Sequence, residues 1–142
     1  AYHRRQRQMC IRDRSKTENY LESLINKFSI KAPNSKAEIS TLSGGNMQKL
    51  LMGRELISNP EVIIASQPTR GLDVNAVEAI HNLLVEQRDK GSAILMISED
   101  LDELFKLSNR IHVMFEGKIV KSFNIDDADI NNVGLAMAGI VE

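Results

Sequence analysis

Apolar positions first fall into register at Tyr20, Leu21, Leu24, Ile25 and Phe28, whose spacing defines one face of an amphipathic helix. Ser15-Lys16-Thr17-Glu18, just ahead, has the spacing of a capping box. Pro33, Asn34 and Ser35 then mark a loop. A second helix is predicted from Leu42-Ser43-Gly44-Gly45 to about Ile57, where Asn59-Pro60 ends it. Between Glu61 and Ser66, Val62, Ile63, Ile64 and Ala65 form an unbroken apolar run. That is the pattern of a strand covered on both faces of a parallel sheet.

Pro68 and Gly71 break the chain again, and Val74, Val77, Ile80, Leu83 and Leu84 then line one helical face that stops at Lys90-Gly91. Ala93 to Ile97 has the pattern of a second buried strand. Asp100 is placed to cap a short helix with Leu101, Leu104 and Phe105 turned inward. Arg110 to Phe115 and Lys118 to Phe123 are predicted strands joined at Glu116-Gly117, followed by a helix near Val133 to Ala138. A helical portion followed by alternating strands and helices is an α/β layout.

Composition changes little in this picture. A chain of 142 residues, 42% hydrophobic and 26% charged, is an ordinary globular domain or a large piece of one. No apolar run approaches the roughly 18 residues of a membrane-spanning helix, and no signal peptide is visible. The single cysteine, Cys10, excludes a disulfide framework or thiolate metal site, and the chain reads as cytosolic. Net charge of -1 conceals an asymmetry: residues 1–14 hold Arg4, Arg5, Arg7, Arg12 and Arg14 against Asp13, leaving -5 on the rest. Such a cluster can serve as a nucleic-acid or anionic-lipid arm. Because it lacks any period, residues 1–14 are taken as a disordered or non-native leader, and residues 15–142 as the domain.

Candidate chemistry begins at Ser43-Gly44-Gly45. Glycines opening a helix admit a ligand close to the backbone, where unpaired amides and the helix dipole favour an anion, and Ser43 adds a hydroxyl donor. Alone, this tripeptide is more often a loop followed by a helix cap. In context, Leu42-Ser43-Gly44-Gly45-Asn46-Met47-Gln48-Lys49 resembles the signature motif of ATP-binding cassettes, usually LSGGQ. The apolar strand some 20 residues on runs into Gln67-Pro68-Thr69-Arg70-Gly71-Leu72-Asp73, which resembles a Walker B strand entering the D-loop. A further strand ends at Ser98-Glu99-Asp100, where the family places its switch histidine. The resemblance covers roughly Ser15 to Gly139 and implies the C-terminal part of a P-loop ATPase cassette: a helical signature region plus a parallel-sheet core, without the Walker A half.

The resemblance implies that Ser43, Gly44, Gly45, Asn46, Gln48 and Asp73 form the nucleotide-binding set. It also exposes departures. The strand-ending Asp that holds magnesium in the family is here Ser66, a poor ligand beside a carboxylate. The following catalytic Glu is Gln67, whose amide can orient water but cannot take its proton. Glu99 replaces the switch histidine, with a charge opposed to a γ-phosphate. No Gly-x-x-x-x-Gly-Lys-Ser/Thr loop occurs; Gly117-Lys118 is the only Gly-Lys pair, with His112 where the first glycine belongs. No catalytic set is intact and no metal site is expected. His3, His81 and His112 are too scattered for zinc, and Asp126, Asp127 and Asp129 lack the glycine and terminal glutamate of a calcium loop.

Cassettes of this family work in facing pairs, each signature closing over ATP held by the other. The chain would thus complete a partner's site with ATP and Mg2+ held mainly by that partner, while being unable to hydrolyse at its own. Asn46 and the Gln-Pro-Thr-Arg-Gly-Leu-Asp segment resemble the second cassette of nucleoside importers, with simple-sugar importers the near alternative. Gly134-Leu135-Ala136-Met137-Ala138-Gly139 resembles the closing segment of that subunit. Implied partners are another cassette fused upstream, permease transmembrane subunits and an extracytoplasmic substrate-binding lipoprotein, without nucleic acid, at the cytoplasmic face of the cell membrane. A non-catalytic regulatory cassette and a soluble non-transport ATPase of the superfamily are the rival classes; the long heptad coiled coils of the DNA-repair branch are missing from the sequence.

Overall fold

The first helix begins where Asp13 accepts the Lys16 amide at 3.2 Å, giving α1 (Arg14–Lys27). Ser15 therefore lies inside the helix: an aspartate two residues earlier outcompetes the expected serine cap, because its carboxylate reaches a free first-turn amide. A computed structural model describes residues 13–140 of the protein, so the basic leader up to Arg12 lies outside the described residues. The remaining α-helices and strands, in order, are α2 (Gly44–Leu56), β1 (Val62–Ser66), α3 (Val74–Asp89), β2 (Ala93–Ile97), α4 (Leu101–Leu107), β3 (Arg110–Phe115), β4 (Lys118–Asn124) and α5 (Ile130–Met137). They form two units, one of the helices α1, α2 and α3 with their loops, the other of the four strands with α4 and α5.

In the helical unit, Leu24, Phe28, Met52, Leu56, Ile80 and Leu84 are buried. Gly53 lets α2 close on the Phe28 ring, since a Cβ there would lie 2.7 Å from the ring. Asp73 caps α3 by accepting the Ala76 amide, and Gly91 ends it with a left-handed φ of 99°. Val74, expected on the buried face of α3, is 82% exposed. It is the first helical residue, and the face is closed only from Ala76 onward.

In the strand unit, β1 and β2 pair in parallel from Val62↔Ala93 to Ser66↔Ile97. Ile63 and Ala65 are buried, but Val62 and Ile64 are 64% and 69% exposed, and Leu95 and Ile97 are also exposed. The expected two-sided cover is thus seen on one face of β1 only. An unbroken apolar run reports what a strand can bury, not which neighbours stand over it. β3 and β4 form an antiparallel hairpin turned at Glu116 and Gly117, both at positive φ, the conformation that two-residue hairpin turns require. Its inner face supplies Ile111 and Val113 to a core with Val133 and Ala136, against which Leu104 and Phe105 of α4 pack.

Asp129 caps α5 through the Asn131 and Asn132 amides, so that helix starts three residues before the apolar period becomes visible at Val133. His112 pairs with Ser122 across the hairpin at 2.7 Å, while His81 is buried. Among the described residues no helix is long and apolar enough to cross a membrane.

Candidate functional site

The signature residues sit at the N-terminus of α2. Ser43 is the N-cap, and the first helical bond runs from Met47 N to Ser43 O at 2.9 Å, so the amides of Gly44, Gly45 and Asn46 have no acceptor within the helix. The two glycines differ in what they leave room for. A Cβ on Gly45 would stand 2.6 Å from the Ala76 Cβ, so this glycine is demanded by the packing of α2 on α3. A Cβ on Gly44 would meet only Leu72 Cδ2, at an ordinary 3.9 Å. Packing inside the chain does not demand glycine at 44, and its exposed amide lies open to a ligand. The residues fit a terminal phosphate: an open glycine, free amides, the positive end of a helix dipole and a hydroxyl.

Gly45→Ala tests the packing half of this statement. The Ala76 methyl is fixed to its backbone and cannot rotate away, so relief requires a shift of α2 against α3. The clash outweighs the helix-propensity gain of alanine, and a net loss of about 1–2 kcal/mol is expected. Urea unfolding of the purified chain would show it as a lower midpoint; an unchanged midpoint would mean that the two helices separate freely.

Ser43 Oγ accepts no backbone amide of the helix it caps. Its Oγ accepts instead from Asn46 Nδ2 at 2.9 Å, and Asn46 Oδ1 accepts the Lys31 amide at 2.8 Å. Lys31 lies 15 residues from Asn46, a separation at which no local spacing signals a contact. Gln48 is half-buried on α2. Asp73 stands in the same unit, where its Oδ1 accepts the Ala76 amide at 3.0 Å. One carboxylate oxygen of the expected nucleotide-binding aspartate is therefore a helix cap.

The positions expected to be degenerate catalytic residues lie in the strand unit, at the carboxyl ends of two neighbouring parallel strands, where open α/β sheets place ligands. Ser66 ends β1 opposite Ile97 and is exposed. Gln67 follows with φ 49°, and its amide donates to Ile97 O at 2.8 Å. A left-handed backbone at a residue with a Cβ costs on the order of 1–2 kcal/mol. Glu99 is exposed in the bend after β2, between Ser98, whose Oγ accepts the Asp100 amide, and Asp100, which caps α4. One hydroxyl and one amide do not fit a magnesium ion, which wants carboxylate and water oxygens. Among the described residues no three His, Cys, Asp or Glu side chains gather as a metal site.

No family model matches the sequence. The guanosine import ATP-binding protein NupO of Bacillus subtilis is 48% identical over 117 residues, 82% of this chain and 23% of that protein. A ribose import ATP-binding protein, RbsA of Clostridium perfringens, is 42% identical over 128 residues, 90% of this chain and 26% of its own length. A solved ATP-binding subunit of an ABC transporter superposes with a TM-score of 0.70 at 20% identity, over 91% of this chain and 57% of that one; it bears on the fold alone. The chain belongs to the ATP-binding cassette family, as the C-terminal part of a P-loop ATPase domain of α/β fold. Within that family it is similar to the ATPases of nucleoside and sugar importers, and it spans about a quarter of the length of these curated relatives.

Proposed function

We propose that the chain is the C-terminal part of the second cassette in an importer ATPase for nucleosides or simple sugars. Its signature completes a partner cassette's ATP site, and its own strand end does not catalyse. The observation that carries this is the contrast between two places in one chain. The start of α2 keeps an open glycine and free amides, whereas the ends of β1 and β2 present Ser66, Gln67 and Glu99 in place of metal ligand, base and switch.

ATP, when bound, supplies the γ-phosphate whose hydrolysis drives transport. The chain's own residues act on it from outside. Gly44 and Gly45 present amides to the negative charge, Ser43 donates a hydroxyl hydrogen, and closure of α2 over the phosphate excludes water from one side. At the other place Gln67 can hold a water but cannot accept its proton. Permease subunits, a fused first cassette and an extracytoplasmic binding lipoprotein complete the proposed machine at the cytoplasmic face of the membrane.

Similarity to guanosine and ribose import proteins supports the substrate class. Deleting the gene should cut uptake of labelled nucleoside or pentose by tenfold or more (about 1.4 kcal/mol on a rate scale), with uptake restored by the intact gene. Unchanged uptake of both classes would remove the importer assignment.

A further inference from the structure

Asn46 stands where the signature motif usually has glutamine, and its side chain makes two bonds that fix each other's direction. A backbone N–H can only donate, so the Lys31 amide, 2.8 Å from Asn46 Oδ1, determines which end of the side-chain amide is oxygen. The nitrogen end is then committed to Ser43, and Nδ2 donates to Ser43 Oγ at 2.9 Å. With Oγ accepting that bond, the hydroxyl hydrogen points away from Asn46. Nor does Ser43 Oγ accept a backbone amide of α2, whereas Asp73, Asp100 and Asp129 all cap the helices they precede through such amides.

We propose that Asn46 is a positioning residue that holds Ser43 as a hydrogen-bond donor to the terminal phosphate, through a one-way chain from Lys31 N–H to the Asn46 amide to Ser43 O–H. The proposal rests on the assignment of the signature to a partner's ATP. Asn46 is half-buried and reaches Ser43 across one helical turn, so it acts through the serine rather than on the nucleotide. Without it, the hydroxyl is free to rotate onto the α2 amides as an ordinary serine cap, where its oxygen accepts and the donor toward phosphate is no longer ordered.

The test is a double-mutant cycle of Ser43→Ala and Asn46→Ala in the intact importer, read as steady-state ATPase. Asn46→Ala alone should lower kcat about tenfold while changing the KM for ATP less than about twofold, and should add less than about twofold on top of Ser43→Ala. Asn46→Asp supplies a second variant that keeps an acceptor for the Lys31 amide and hence the local fold. Its carboxylate turns the Ser43 hydroxyl inward, so it should lose at least as much kcat as Asn46→Ala. Equal losses from Asn46→Ala in both backgrounds, or full activity of Asn46→Asp, overturn the proposal and leave the signature assignment standing. A silent Ser43→Ala overturns both.

Discussion

Gly44→Asp in the intact importer is expected to abolish substrate uptake and to lower ATPase turnover by at least about 100-fold, the scale of removing a donor from a charge-stabilising site. The same change should leave the thermal midpoint unchanged or slightly raised. The Cβ has room, with Leu72 Cδ2 at 3.9 Å as its nearest neighbour. An aspartate in the first turn of α2 also faces the positive end of the helix, worth about 0.3–1 kcal/mol. What fails is the chemistry. A carboxylate about 4 Å from a phosphate charge, near a protein surface, is repelled by about 4 kcal/mol, enough for a loss of roughly 1000-fold. Turnover within threefold of wild type would show that no phosphate approaches α2.

The second large effect is total: purified chain, given ATP and magnesium, should release phosphate at the rate of the blank. Three functions are wanting in it at once. The sequence holds no phosphate loop, Ser66 offers magnesium a hydroxyl in place of a carboxylate, and Gln67 offers water no base. Restoring one of them does not restore the others, so Gln67→Glu in the isolated chain should remain at the blank. Phosphate release that disappears on mutating Gln67 would contradict this account.

Much of the fold was legible because its boundaries are set by local chemistry. Asp100 begins a helix, Lys90-Gly91 ends one, and Glu116-Gly117 turns the hairpin, each within a few residues of the element it bounds. The misses have two physical origins. Ser15 has capping-box spacing, yet Asp13 caps α1, because two carboxylate or hydroxyl acceptors compete for the same free amides and spacing alone does not rank them. Val62 and Ile64 match a doubly buried strand but are exposed, since burial depends on neighbours that the run itself does not encode.

The candidate site divides likewise. Ser43-Gly44-Gly45 is visible as a motif, but sequence treats the two glycines alike, while packing against Ala76 separates them. The tie from Asn46 on α2 to the Lys31 amide in the preceding loop leaves no periodic trace.

On the proposed function, the signature end of this chain serves a working site and its strand end does not. Measuring ATPase turnover of the intact importer with Gln67→Ala beside Gly44→Asp tests it most directly. Alanine retains the backbone amide that donates to Ile97 O, and it meets the same left-handed backbone that Gln67 already accepts. Only the amide side chain is lost. Gln67→Ala should therefore change turnover by less than about threefold, or roughly 0.7 kcal/mol, while Gly44→Asp removes it. The reverse ranking would contradict the claim: turnover lost in Gln67→Ala with ATP binding intact, and kept in Gly44→Asp, would place the chemistry on this chain's own strand.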